Sequence, residues 1–100
     1  MKPPECAGLN LTAVVTGSGV VIGSNANELI LGSSAVDAVD SRNGDDCVLG
    51  GGHDDMLLGR NGDDVLLGGA GNDDLNGGPG YDICYGGGGS NSFIQCEEIY

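Results

Sequence analysis

The hydrophobic and polar positions of the chain repeat at an interval of nine residues. Counted from Gly23, this register holds without a slip to Ile94 and gives eight units. The eighth position of every unit carries a side chain that can be buried: Ile30, Val39, Val48, Leu57, Leu66, Leu75, Cys84 and Phe93. The pattern predicts a six-residue turn followed by a three-residue strand in each unit, with the eighth side chain pointing inward.

The first and sixth positions of the units indicate what the turns do. The first position is Gly in seven of eight units, and Ser41 is the exception. The sixth position is acidic in seven units and an amide in the last: Glu28, Asp37, Asp46, Asp55, Asp64, Asp73, Asp82 and Asn91. Glycine allows backbone carbonyls to converge, and carboxylates supply charge, which together suit a hard cation such as Ca²⁺. A solvated linker would need no such register.

Composition limits the size, the partners and the compartment. One hundred residues make one domain, and 15 acidic against 3 basic residues give a net charge of −12. This charge excludes nucleic acids as natural partners and favours cations. No stretch is long and apolar enough for a membrane span, and the start lacks the apolar run of a cleavable signal peptide. We therefore expect either that a signal has been removed or that export uses another route. The 4 cysteines suggest disulfides and an oxidising compartment.

Several units resemble a known calcium-binding repeat. GGAGNDDLN (68–76) matches every fixed position of the nonapeptide G-G-x-G-x-D-x-U-x, and GGPGYDICY (77–85) does so with cysteine in the apolar position. GRNGDDVLL (59–67) lacks only the second glycine. The chain thus resembles the RTX, or hemolysin-type, calcium-binding proteins over about three quarters of its length. The first two units lack most of the glycines, and His53 stands at the fourth position of its unit, where the motif has glycine.

The resemblance implies an all-β fold, a right-handed parallel β-roll (β-solenoid) with two repeats per coil. Residues 23–94 would form the roll, 1–22 an N-terminal cap or lid strand, and 95–100 a C-terminal cap. Calcium would lie between turns stacked two units apart, held by sixth-position acids and loop carbonyls, with about three to five ions in all. The best candidate sites lie between Asp46 and Asp64, between Asp64 and Asp82, and between Asp55 and Asp73. The weaker candidates are Asp73/Asn91 and Asp37/Asp55, and a calcium site at Glu28 is doubtful. The glycines expected to contribute carbonyl ligands are Gly44, Gly62, Gly71 and Gly80.

One outer sheet face is predicted to be wholly apolar. Its outward side chains, at the seventh and ninth positions, are Leu29, Leu31, Cys47, Leu49, Val65, Leu67, Ile83 and Tyr85. Such a face should not be left in water. Either the segment LNLTAVVTGSGVVI (9–22) lies across it as a lid, or a second copy of the chain docks there. The open ends of a solenoid also template further strands, so both self-assembly and an ordinary monomer remain open.

The cysteines and the single histidine complete the sequence-based expectations. We expect a Cys84–Cys96 bridge that holds the C-terminal segment over the end of the roll. A Cys6–Cys47 bridge would hold the N-terminal segment on the apolar face, with an intermolecular bond as the alternative. His53 is interpreted as a turn residue that replaces glycine. The sequence contains no nucleophile and base at useful spacing, so we expect no enzymatic activity.

Two functions are consistent with these features. The first is a secreted or cell-surface calcium-binding β-roll with a structural, self-assembling role, such as a fibre or matrix subunit. Its folding would depend on Ca²⁺, because each coil buries only two eighth-position side chains while ordering costs about 1–2 kcal/mol per residue. The second is a calcium-dependent folding or targeting module of a larger secreted enzyme. We expect the chain without calcium to be largely unfolded.

Overall fold

The structure is a computed structural model that describes residue 6, residue 9 and residues 11–17, 19–33 and 37–100. Strands of two to four residues, most of them three residues long, alternate with turns along these residues. The strands are β1 (Ala13–Thr16), β2 (Val20–Ile22), β3 (Glu28–Leu31), β4 (Ala38–Asp40), β5 (Cys47–Leu49), β6 (Met56–Leu58), β7 (Val65–Leu67), β8 (Asp74–Asn76), β9 (Ile83–Tyr85), β10 (Ser92–Ile94) and β11 (Glu98–Ile99).

Two parallel sheets are built from alternate strands. The first has the order β1-β3-β5-β7-β9-β11 and the second the order β10-β8-β6-β4-β2. Val48 pairs with Leu66, eighteen residues further on, so each coil contains two nine-residue units. The eleven strands, two per coil, make about five coils. The predicted all-β, parallel β-roll is therefore confirmed. Within the described residues, no helix is long and apolar enough to cross a membrane.

The core is a stack of single side chains between the two sheets. A three-residue strand points only its middle side chain to one face, and in every repeat that residue is the eighth. Seven of these side chains are buried together with Val21 of β2, and Phe93 packs against them: Ile30, Val39, Val48, Leu57, Leu66, Leu75 and Cys84. The inward position predicted from the sequence is the one that the structure uses.

Strands β1 and β2 of the N-terminal segment extend the roll, so this part of the segment does not form a lid across the outer face. β1 pairs with β3, where Val14 lies opposite Leu29, and β2 pairs with β4. The reason is that a β-prone segment beside an edge strand can satisfy the unpaired N–H and C=O groups of that edge, which a lid cannot do. Residues 1–5, 7, 8, 10 and 18 of this segment lie outside the described residues.

The apolar outer face of the first sheet is partly covered by the residues that precede β1. Cys6 is buried on this face, and Leu9 and Leu11 pack beside it. Leu29, Cys47 and Val65 are thereby buried, and the remaining members are half-buried: Leu31, Leu49, Leu67, Ile83 and Tyr85. Cys6, Leu9 and Leu11 thus supply part of the cover that the apolar face was expected to need.

Both predicted disulfides are present within the chain. Cys6 is bonded to Cys47, and Cys84 to Cys96, each with a Cα–Cα distance of 6.0 Å. The first bond fixes Cys6 on the apolar face. The second ties the C-terminal segment to the inward stack of side chains at the last coil. There, the Tyr100 ring stacks on Tyr85 with 5.1 Å between ring centroids.

Candidate metal centre

The sixth-position acids form two ladders, one along each edge of the roll. On one edge, the Asp46 N–H donates to Asp64 Oδ1 and the Asp64 N–H to Asp82 Oδ1, both at 2.8 Å. On the other edge, the Asp55 N–H donates to Asp73 Oδ1, also at 2.8 Å. All three of the best pairs expected from the sequence are thus brought into adjacent coils. The same bond joins the weaker pairs: Asp37 to Asp55, and Asp73 to Asn91.

Within the described residues, the second carboxylate oxygen of five of these aspartates has no hydrogen-bond partner. The Oδ2 atoms are buried and accept no hydrogen bond from any described residue in Asp46, Asp55, Asp64, Asp73 and Asp82. An ionised carboxylate oxygen that is removed from water without a hydrogen bond or counter-charge is strongly destabilising. These five carboxylates therefore need either a proton or a cation.

The first-position glycines keep carbon out of the space beside these oxygens. A Cβ on Gly59 would lie 2.7 Å from Asp64 Oδ2 and 2.8 Å from the Gly77 carbonyl oxygen. A Cβ on Gly50 would meet Asp55 Oδ2 at 2.6 Å and the Gly68 carbonyl oxygen at 2.9 Å. A carboxylate oxygen and a carbonyl oxygen of the next coil thus converge on each site. Oxygen atoms of these two kinds are the ligands that Ca²⁺ prefers.

The sequence-based ligand set did not include the first-position carbonyls, which the structure places beside the sixth-position Oδ2 atoms. That set named the fourth-position glycines, whose carbonyls point at the next coil: a Cβ on Gly62 would overlap the Gly44 carbonyl oxygen. Gly62 has φ of +105°, which side chains rarely adopt. The role of Gly44, Gly62, Gly71 and Gly80 as ligands stays a prediction. The sequence did indicate a special role for the first position, because glycine recurs there more regularly than at any other position of the repeat.

His53 holds the backbone conformation of the glycine it replaces. Its φ is +62°, and its side chain is exposed. A Cβ on Gly71, one coil further on, would overlap the His53 carbonyl oxygen, just as Gly62 meets Gly44. The substitution therefore preserves the path of the turn and places no imidazole among the carboxylates, in agreement with its interpretation as a turn residue.

The fifth-position side chains form a further ladder of hydrogen bonds between coils, which was not predicted from the sequence. The Asp63 N–H donates to Asp45 Oδ1, and the Tyr81 N–H donates to Asp63 Oδ1, at 2.8 and 2.9 Å. These side chains reach forward to the next coil, whereas the sixth-position carboxylates reach back to the previous one. The recurrence of Asp or Asn at the fifth position was a usable signal. The fifth-position ladder supports the turns without using the sixth-position oxygens.

The available ligands fit calcium only if the backbone contributes. No group of three or more His, Cys, Asp or Glu side chains is close enough to hold a metal among the residues that the structure describes. Adjacent coils instead bring together two sixth-position carboxylates and several carbonyls. Ca²⁺ takes six to eight oxygens and accepts such mixed ligands, whereas Zn²⁺ sites are built from nitrogen and sulfur donors. The donor set therefore fits calcium, with the sixth-position aspartates as its charged ligands.

Burial and mutual repulsion raise the pKa values of the unpartnered carboxyls. Burial raises the pKa of Asp64 to about 9, and the charges of Asp46 and Asp82 add to the effect. Burial likewise raises the pKa of Asp46 and of Asp82 to about 7 and that of Asp55 to about 6. Without a cation, Asp64 holds its proton at neutral pH, and Asp46 and Asp82 are partly protonated. A bound cation would displace those protons.

Calcium affinity is expected to rise as the pH rises from about 6 to 9. Carboxyls with pKa values raised into this range bind protons that Ca²⁺ must displace, so the affinity gains about tenfold per pH unit for each proton. Without metal the sign is opposite: the roll binds more protons than the unfolded chain, so its stability falls as the pH rises through these pKa values. Calcium titration calorimetry at pH 6 and pH 8, in two buffers of different ionisation enthalpy, measures affinity and proton release. An affinity that does not change with pH would contradict the expectation.

Comparison with known proteins agrees with this site. The family model described as RTX calcium-binding nonapeptide repeat (4 copies) matches residues 22–57, 49–84 and 58–93. The chain matches no curated protein and no solved structure. The matched segments cover most of the two carboxylate ladders, and these repeats indicate a calcium-binding β-roll. The chain belongs to the family of RTX calcium-binding nonapeptide-repeat proteins.

Proposed function

We propose that this β-roll is a secreted structural protein whose folding is driven by calcium and whose copies assemble end to end. The observation that carries the proposal is the location of its exposed apolar side chains. At the N-terminal end Val14, Val20 and Ile22 are 51–75% exposed, and at the C-terminal end Ile94, Ile99 and Tyr100 are 52–65% exposed. Among the described residues, most of the large exposed hydrophobic side chains therefore lie on the two end coils.

The backbone at the two ends is complementary. β1 and β2 are edge strands at one end, and β11 and β10 are the edge strands of the same two sheets at the other end. The N–H and C=O groups on their outer sides can pair with another strand. If β11 pairs with β1 of a second copy and β10 with its β2, both sheets continue in the same parallel sense. Such a head-to-tail contact does not close on itself, so it produces a linear fibre.

The ends are a better assembly surface than the apolar sheet face favoured by the sequence. Cys6, Leu9 and Leu11 already pack on that face and leave its remaining members half-buried. The area still available there is reduced, whereas the strands at the two ends are the edge strands of the described sheets and carry exposed apolar side chains.

The same proposal includes export of the unfolded chain and a role that is not enzymatic. The two disulfides fit an oxidising environment, and extracellular calcium modules bind with Kd values of about 10⁻⁴–10⁻³ M. Low calcium inside the cell would keep the chain unfolded for export, and calcium outside would fold it. The proposed role is not enzymatic, because the buried carboxylates are used in the ladders and the single histidine is an exposed turn residue.

Assembly is expected to depend on the end strands and not on apolar residues elsewhere. Light scattering and negative-stain microscopy in calcium should show particles that lengthen with protein concentration. Val20→Lys and Ile94→Lys should prevent this growth, because each places a charge in the contact between copies. Met56→Lys is the matched control, since Met56 is 47% exposed in the middle of the second sheet.

Two results would contradict the assembly proposal. One is a small particle of constant mass at high concentration in calcium, which would favour the alternative of a folding or targeting module from a larger secreted enzyme. The other is an equal loss of assembly in Met56→Lys and Val20→Lys, which would locate the contact on the sheet face.

A further inference from the structure

The acids of the first two repeats differ from those that follow, because both of their oxygens are already paired. The Ser24 N–H donates to Glu28 Oε1 at 2.8 Å, and the Ser24 hydroxyl donates to Glu28 Oε2 at 2.9 Å. In the second repeat, the Ser33 N–H donates to Asp37 Oδ2 at 2.7 Å and the Gly19 N–H to Asp37 Oδ1 at 2.8 Å. The hydrogen-bond donors therefore occupy the oxygens that remain unpaired in the later repeats.

The difference originates at the second position of the repeat. This position is Ser24 in the first unit and Ser33 in the second, and neither has a positive φ. From the third unit onward the second residue has a left-handed φ, between +61° and +94°: Arg42, Gly51, Arg60, Gly69, Gly78 and Gly87. Only in the two serine repeats does the second residue donate its N–H to the sixth-position acid, among the hydrogen bonds of the described residues.

The electrostatics of Asp37 agree with this arrangement. Burial acts to raise its pKa, but the hydrogen bonds from Ser33 and Gly19 outweigh burial and lower the pKa below its usual value. A carboxylate held by such donors is stable as an anion without a cation. A metal ion at Glu28 or Asp37 would have to displace these donors and turn a serine into the left-handed conformation, which L-residues disfavour.

We propose that the Ser24–Glu28 and Ser33–Asp37 turns bind no calcium, and that serine replaces the metal in closing them. Calcium binding is then confined to the turns whose aspartates carry an unpartnered oxygen: Asp46, Asp55, Asp64, Asp73 and Asp82. The family match begins at residue 22 and so includes both serine turns. The repeats of this chain are therefore of two kinds, and the assignment does not depend on the proposed assembly.

A calcium-independent first coil gives the roll a preformed end. In a solenoid, each coil contacts only its neighbours, so an ordered coil lowers the barrier to ordering the next one. The Cys6–Cys47 bond connects the N-terminal residues to β5, directly beyond the serine turns. The calcium-free chain is thus expected to keep order in β3 and β4 while the coils from β7 onward are unfolded. Addition of calcium would then extend the roll from this end.

Counting bound calcium by native mass spectrometry tests the assignment. Glu28→Gln and Asp37→Asn should bind as many ions as the unmodified chain, because those side chains hold hydrogen bonds and no metal. Asp64→Asn, which makes the same change in charge at an unpartnered carboxylate, should lose at least one ion. The loss of an ion in Glu28→Gln or Asp37→Asn would overturn the proposal.

Hydrogen exchange of the unmodified chain in excess chelator tests the same proposal without any variant. The amides of β3 and β4 should exchange at least about tenfold more slowly than those of β7 and β9, because only the first coils are closed without metal. Equal loss of protection in both regions would overturn the proposal, even if calcium folds the whole chain.

Discussion

Excess chelator is expected to abolish most of the β-sheet circular dichroism of this protein, and calcium is expected to restore it. The reason is the set of five buried aspartates whose Oδ2 atoms accept no hydrogen bond from the part of the chain that the structure describes. Without a cation, each must take up a proton or leave an unpaired anion in the interior. Each coil gains only its two eighth-position side chains in exchange, worth roughly 2–3 kcal/mol apiece. At a calcium concentration a hundred times Kd, one ion adds about 2.7 kcal/mol to the stability of the folded form.

The specificity of the ion provides the control for this experiment. Mg²⁺ at the same concentration should restore much less signal, because it requires near-octahedral geometry at 2.0–2.1 Å and retains its water. The disulfides stay oxidised in both conditions, so their contribution cancels. A full β spectrum in excess chelator would contradict the coupling of calcium binding to folding.

Gly62→Ala is expected to destabilise the calcium-bound roll by about 2–4 kcal/mol, because it combines two penalties. Gly62 has φ of +105°, outside the range that L-residues favour. Its new Cβ would also overlap the carbonyl oxygen of Gly44 in the previous coil. Because the chain stacks only about five coils, one displaced turn weakens the contacts on both sides. Denaturant unfolding in saturating calcium measures the change in free energy.

Gly88→Ala is the matched control for this substitution. Gly88 lies in the turn of the last repeat, has no positive φ, and has nothing within 4 Å of the position that a Cβ would take. Its replacement should change the free energy of unfolding by less than about 0.5 kcal/mol. Equal effects of the two substitutions would show that the close approach of Gly62 to Gly44 does not limit stability.

The nine-residue period predicted the strands, the turns and the core, and the family resemblance supplied the roll with two repeats per coil. The eighth position identifies the core, as Leu66 shows, and two repeats per coil set the pairing of Val48 with Leu66. The inward position of Cys84 then brings it to the last coil beside Cys96. The period and the resemblance together placed Asp46 next to Asp64. These features could be predicted because they follow from local geometry that every repeat shares.

Features outside the period could not be predicted in the same way. β1 pairs with β3 at an offset of fifteen residues, Val14 with Leu29, so the nine-residue register does not reveal it. At the other end, Glu97 accepts the Asp82 N–H at 2.8 Å and takes the place of a sixth-position aspartate, also fifteen residues further on. In both end coils, one turn is shorter than in the repeats. The structure shows that the hydrogen bonds of the sixth-position ladders continue into both end coils.

The hydrogen bonds between serine and the sixth-position acid in the first two turns could not be predicted for a different reason. Ser24 and Ser33 occupy a position where the family has glycine, which the sequence alone presents as a loss of pattern. The structure shows that each serine supplies both an N–H and a hydroxyl to the acid four residues later. In these two turns, the serine that departs from the calcium motif supplies hydrogen bonds where, on our proposal, the other turns bind calcium.

Calcium is expected to lie between stacked turns, held by their sixth-position aspartates. Anomalous diffraction from crystals grown in calcium-rich buffer locates the ions. An anomalous peak is expected within about 2.3–2.6 Å of carboxylate oxygens at the Asp46/Asp64 and Asp55/Asp73 turns, and none at Glu28. A fully formed roll with no anomalous peak at either of those pairs would show that calcium does not hold the turns together.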